Sequence, residues 1–129
     1  MKKYLEENNF SNIDFLYNNS YEYDNHIIAG TRGWGDKSVD SKILNREMQR
    51  LELSIQDGIS KYGKEIIVCM HYPPIDAFLE IMKKYNVKRC LYGHLHGESH
   101  KNAVEGNIDG IEMKCVSADY VNFEPYFVE

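Results

Sequence analysis

The chain has 129 residues, 43% of them hydrophobic, and a formal net charge of −5. That length suits one domain with a modest core, and the acidic balance without a Lys/Arg stripe excludes a surface built for nucleic acid or an anionic membrane. Cys69, Cys90 and Cys115 stand singly in apolar segments with no C-x-x-C pair, so they read as reduced core thiols of a cytoplasmic protein.

Residues 2–9 read as the end of a helix that begins without a cap, and residues 13–17 as a short strand. Asp24-Asn25 forms a hairpin-type turn ahead of a second strand, His26 to Gly30. Gly33, Gly35 and Asp36 mark a loop around Arg32 and Trp34. Ser41 to Tyr62 carries the strongest helical pattern. Its residues Leu44, Met48, Leu51, Ile55, Ile59 and Tyr62 step by three or four along one stripe, and Gly63 reads as the C-terminal cap. Glu65 to Met70 is apolar without alternation, the pattern of a parallel strand covered on both faces. After Pro73-Pro74, a helix opens at Asp76 with Ile75, Phe78, Leu79, Met82 and Tyr85 on one face, and Asn86 ends it. Val87 to Tyr92 is the next strand, so Glu65 to Tyr92 is expected to form a parallel β-α-β unit. Lys101 to Val104 and Ile111 to Ser117 flank a Gly106–Gly110 turn and are expected to pair as an antiparallel hairpin. The fold class is α/β, with residues 1–129 as a single domain.

His71 follows the first parallel strand at its carboxyl end, and His94 and His96 follow the second within Tyr92-Gly93-His94-Leu95-His96-Gly97. Ligands of open α/β sheets sit beyond the carboxyl ends of the strands, and imidazole is the commonest nitrogen ligand for a transition metal. His71, His94 and His96 are therefore the candidate metal ligands, with Gly93 expected to take the sharp turn and Gly97 to let the chain leave. Arg32, just past a strand end, is a candidate contact for a substrate phosphate. The run His94-x-His96-x-x-x-His100, with Glu98 inside it, also bears a faint likeness to the ligand run of metallo-β-lactamase-like hydrolases, with one residue too many and Glu in place of Asp.

His71-Tyr72-Pro73-Pro74 followed by Gly93-His94-Leu95-His96 resembles the carboxyl-terminal half of a calcineurin-like metallophosphoesterase, over roughly Gly30 to Phe123. The resemblance implies part of a four-layer α/β/β/α sandwich and a metal-dependent phosphoric ester hydrolase acting through a metal-bound hydroxide. It implies a dinuclear centre of Mn, Fe or Zn, with His71 and His94 on one ion and His96 on its neighbour. The family's D-x-H, G-D and G-N-H-D/E motifs have no convincing counterpart here. Asp24-Asn25-His26 and Gly35-Asp36 match the first two in letters, but the residues between them are too few for the crossover that parallel strands need. No residue is assigned as catalytic general acid, and the metal site is expected to be incomplete, as though the chain began after the third motif. The expected partners are a phosphate ester substrate, and either a second copy of the chain or a separate amino-terminal half that covers an exposed sheet face. The alternative is a non-catalytic fold remnant or interaction module that binds at most one metal ion.

Overall fold

The computed structural model describes residues 1–34 and 40–128, a mixed α/β fold on a six-stranded sheet. The elements are α1 (Lys2–Glu7), β1 (Tyr21–Tyr23), β2 (His26–Thr31), α2 (Ser41–Lys61), β3 (Glu65–Met70), α3 (Asp76–Lys84), β4 (Arg89–Tyr92), a 3₁₀ segment (Gly97–Asn102), β5 (Gly106–Ile108) and β6 (Ile111–Cys115). Strand order across the sheet is β1-β2-β3-β4-β6-β5. The four strands β2, β3, β4 and β6 run parallel, and β1 and β5 close the edges as antiparallel hairpin partners. No helix among the described residues is long and apolar enough to cross a membrane.

Local chemistry accounts for most boundaries. Asp24 takes a left-handed backbone (φ 52°) in the β1–β2 turn, as Asx residues do most readily among non-glycines. Asp40 caps α2 by accepting the Lys42 N–H at 2.9 Å. Asn86 leaves α3 at φ 56°, where Val87 N–H returns to the Met82 carbonyl at 2.9 Å. The end of α2 departs from expectation: Tyr62 itself takes extended backbone, so Gly63 is not a left-handed cap.

Both long helices pack on one face of the sheet. Ile27 and Ala29 from β2, Val68 and Met70 from β3, Cys90 and Tyr92 from β4, and Met113 and Cys115 from β6 form one core with Leu51, Ile55, Phe78 and Met82. The buried face of α2 runs through Glu47, Leu51, Ser54, Ile55 and Gly58, and Ile59 stays outside it, 48% exposed. Gly58 brings the helix close to β2, since a Cβ there would stand 2.3 Å from Ile27 Cγ2. Two polar residues on that face serve the strand beneath. Glu47 accepts from Thr31 Oγ1 at 2.9 Å and from Arg50 at 2.7 Å, which satisfies a carboxylate with no exposure of its own. Ser54 Oγ accepts the Gly30 N–H at 2.9 Å and donates to the Asn19 carbonyl at 2.5 Å. It thereby covers the stretch of β2 that extends past the short β1.

On the opposite face lie Ile28, Ile67, Cys69 and Leu91, and the carboxyl-terminal residues Tyr126, Phe127 and Val128 line a shallow groove of about 480 Å³ with them. Phe127 is 84% exposed, so the tail shields this face only in part.

Two expected strands are absent. Residues 13–17 form no strand; Phe15 is held instead through its carbonyl by Tyr21 OH at 3.2 Å, and Ile13 and Tyr17 stay exposed. Lys101 to Val104 do not pair with β6. Lys101 belongs to the 3₁₀ segment, and Val104 is tied to β4, its N–H donating to Tyr92 OH at 2.7 Å and its carbonyl accepting from that hydroxyl at 2.8 Å. The antiparallel hairpin therefore begins at Gly106.

Gly30 is sterically fixed, because a Cβ there would meet the Cys69 carbonyl oxygen at 1.9 Å. Gly30→Ala is expected to lower stability by more than about 2 kcal/mol in urea denaturation. Gly63→Ala, whose Cβ meets nothing within 4 Å, is expected to be neutral or slightly stabilising in the same measurement.

Candidate functional site

The parallel strands end at one level. Thr31 pairs with Met70, Met70 with Tyr92, and Tyr92 with Cys115. Arg32, His71, the Gly93–Gly97 loop and the turn containing Asp119 thus leave four strand ends at the same edge of the sheet. Backbone hydrogen bonds continue between these loops. The Arg32 carbonyl accepts from His71 N at 3.2 Å and from Tyr72 N at 3.0 Å, and the Tyr92 carbonyl accepts from Val116 N at 2.7 Å.

The structure brings His71 and His94 together: His71 Nε2 and His94 Nδ1 lie 3.2 Å apart, with ring centroids at 5.0 Å. His94 reaches that position through strained backbone. Its φ is +69°, and Leu95 N–H closes back onto the Gly93 carbonyl at 2.9 Å, a γ-turn centred on His94. Such a conformation costs a non-glycine residue on the order of 1–3 kcal/mol and is concentrated at functional sites. Gly93 was expected to take the sharp turn. It is His94 that does so, while Gly97 leaves the loop with left-handed backbone at φ +54°, where a Cβ would meet nothing within 4 Å.

His96 points its Nδ1 at Asp119 Oδ1, 2.7 Å away, and the Gly97 N–H donates to the other oxygen at 3.0 Å. Ser99 Oγ accepts the His96 N–H at 2.8 Å and donates to the His96 carbonyl at 2.7 Å, which locks the residue's backbone. His100 Nε2 approaches the same carboxylate at 3.1 Å, out of line for a hydrogen bond, and its ring stands edge-on to Tyr120. The loop therefore converges on a carboxylate that the sequence reading did not single out. No local signal marks it, because its position follows from how β6 pairs. Its parallel pairing to β4 sends the residues after Cys115 to the same edge as His71.

Electrostatics set the two kinds of group in opposite directions. Slight desolvation of this largely exposed ring, then the neighbouring His94, Arg32 and His96, push the His71 imidazole below its ordinary value, and its Nε2 is hydrogen-bonded to His94 Nδ1, one ring donating and the other accepting. Asp119 is held well below the usual carboxylate range, first by the Gly97 N–H, then by His96, with His100 adding to them. Arg32 lies beside this edge with its guanidinium 4.8 Å from the Trp34 ring centroid. His26 pairs with Glu65 at the start of β3, so Asp24-Asn25-His26 lies at the opposite end of the sheet from His71. Gly35-Asp36 falls outside the described residues. Among the described residues, no group of three or more His, Cys, Asp or Glu side chains converges as a ready-made metal site.

A lowered Asp119 value stabilises the loop above the ordinary carboxylate range, and the effect fades as pH falls through the folded-state value. The Gly97 amide resonance in NMR is therefore expected to keep its hydrogen-bonded shift from pH 7 to pH 4 and to move only below that range. Asp119→Ala is expected to remove the shift at every pH.

Comparison with protein-family models, with curated proteins and with solved structures returns no match for this chain.

Proposed function

We propose that this chain is a metal-dependent phosphoric ester hydrolase of the calcineurin-like metallophosphoesterase type. The observation that carries the reading is the 3.2 Å separation of His71 Nε2 and His94 Nδ1. Two imidazoles bound at about 2.0–2.1 Å to one ion, at angles of about 90–109°, place their nitrogens about 2.8–3.4 Å apart. The pair fits two ligand positions of a single Mn, Fe or Zn ion. His96 supports a neighbouring position, since a histidine whose Nδ1 is committed to a carboxylate presents Nε2 outward in one tautomer, the arrangement that commonly orients metal-binding histidines.

A bound divalent ion would supply Lewis-acid stabilisation of charge developing on phosphoryl oxygens. The chain's own residues do the positioning. His71 and His94 would give up their mutual hydrogen bond to the ion, Asp119 fixes the tautomer and direction of His96, and Arg32 offers a planar guanidinium to a phosphate oxygen. No general acid is assigned within this chain. The half-covered sheet face of Ile28, Ile67, Cys69 and Leu91 is where the second sheet of a four-layer α/β/β/α sandwich would pack. A second copy, or a separate chain carrying the carboxylate ligands, would provide it.

The lack of a third converging ligand among the described residues favours one further reading, an interaction module that holds at most one ion without turnover. Metal uptake and hydrolysis separate the two. Equilibrium dialysis is expected to show one weakly bound Mn²⁺ or Zn²⁺ per chain, lost in His71→Ala and in His94→Ala. Hydrolysis of bis(p-nitrophenyl) phosphate is expected to be slow and metal-dependent. Uptake with no hydrolysis selects the interaction module, and no uptake at millimolar metal overturns both readings. Light scattering at high protein concentration is expected to show self-association through the half-covered face, and a strictly monomeric chain would remove the second copy as a partner.

A further inference from the structure

We propose that the cleft beside His94 takes a flat, hydrogen-bonding aromatic ring, so that the substrate is a phosphate ester of the nucleotide type. This deepens the phosphoester reading and rests on it for the phosphate end alone. The cleft encloses about 550 Å³, within the roughly 300–1,000 Å³ typical of small-molecule sites. It begins at His94, the ring already placed at the proposed ion, and its walls are Trp34, Tyr72, Pro73, Pro74 and Leu95. A phosphate held at His71, His94 and Arg32 would thus carry its organic group directly into an aromatic and proline-lined space.

Ring geometry and polarity both favour a heterocycle. The Trp34 and Tyr72 centroids lie 5.7 Å apart at 48°, and Tyr72 and His94 lie 4.3 Å apart at 48°, so none of these rings is stacked flat on its neighbour. Trp34 and Tyr72 both line the cleft, and base–aromatic contact is tolerant of the base's identity. Arg32 lies over the indole, its guanidinium 4.8 Å from the ring centroid. The Trp34 indole N–H is shielded from solvent and has no hydrogen-bond partner among the described residues. Ser99 and Asn102 add polar groups at the cleft's lining for the ring's remaining edge.

Trp34 is the chain's single tryptophan, so its fluorescence reports directly on the cleft. The intact protein would be titrated with adenosine 5′-monophosphate, phenyl phosphate, ribose 5-phosphate and inorganic phosphate, each with and without Zn²⁺. Saturable quenching by adenosine 5′-monophosphate is expected, with affinity roughly tenfold above that for ribose 5-phosphate and phenyl phosphate. Calorimetry on Tyr72→Leu should show that advantage lost and ribose 5-phosphate binding unchanged. Equal affinity for the nucleotide and ribose 5-phosphate overturns the ring cleft, and leaves the hydrolase reading intact if Zn²⁺ is taken up. Phenyl phosphate binding as tightly as the nucleotide overturns the heterocycle assignment. Nucleotide quenching without any Zn²⁺ uptake supports the cleft and overturns the metal-dependent reading instead.

Discussion

Everything at the candidate site depends on the parallel backbone register of β2, β3, β4 and β6. Parallel strands share one direction, so each delivers its following loop to the same edge, and here all four stop at the same level. A slip of one residue would turn every side chain of a strand to the other face, exchanging the helix-packed core for the half-covered side. The core guards against that slip. Val68 and Met70 lie beside Cys90 and Tyr92 under α2 and α3, and Gly30 admits no side chain against the Cys69 carbonyl. Register, steric exclusion and apolar burial thus fix where His71 and His94 meet.

The same geometry explains how the site's charges can be so closely spaced. Two imidazoles 3.2 Å apart would repel if both were protonated, and slight desolvation together with the neighbouring His94 and Arg32 pushes the His71 value down. Asp119 stays anionic a short way along the edge because a backbone N–H and two imidazoles surround it. The outcome is an edge with a mutually hydrogen-bonded imidazole pair on one side and an engaged carboxylate on the other. Such an arrangement favours an approaching cation without collapsing on itself in its absence.

Much of this was legible from residues alone. The α2 stripe and the Glu65–Tyr92 strand–helix–strand unit were readable because burial imposes periods of 3.6 and of continuous apolarity. The Asp24-Asn25 turn was readable because it demands left-handed backbone. What failed was decided by tertiary partners. Residues 13–17 carry an apolar pattern but have no strand to pair with. Lys101–Val104 lost its strand because a tyrosine hydroxyl from β4 claimed the backbone groups of Val104. Asp119 was hidden for a related reason: Ile111–Ser117 was read as half of a hairpin, and its second, parallel pairing to β4 has no local signature. Gly93 drew the sharp turn in the sequence reading since glycine accepts it at no cost, yet the backbone places the strain on the ligand residue itself.

That γ-turn at His94 sets stability against chemistry at a single position. The imidazole is held where glycine would rest comfortably, so His94→Gly would relieve backbone strain of the order of 1–2 kcal/mol while deleting the nitrogen that faces His71. Selection for thermal robustness alone would drift toward glycine at residue 94. Persistence of histidine there in natural variants would therefore measure the demand for the site and not the demand for the fold.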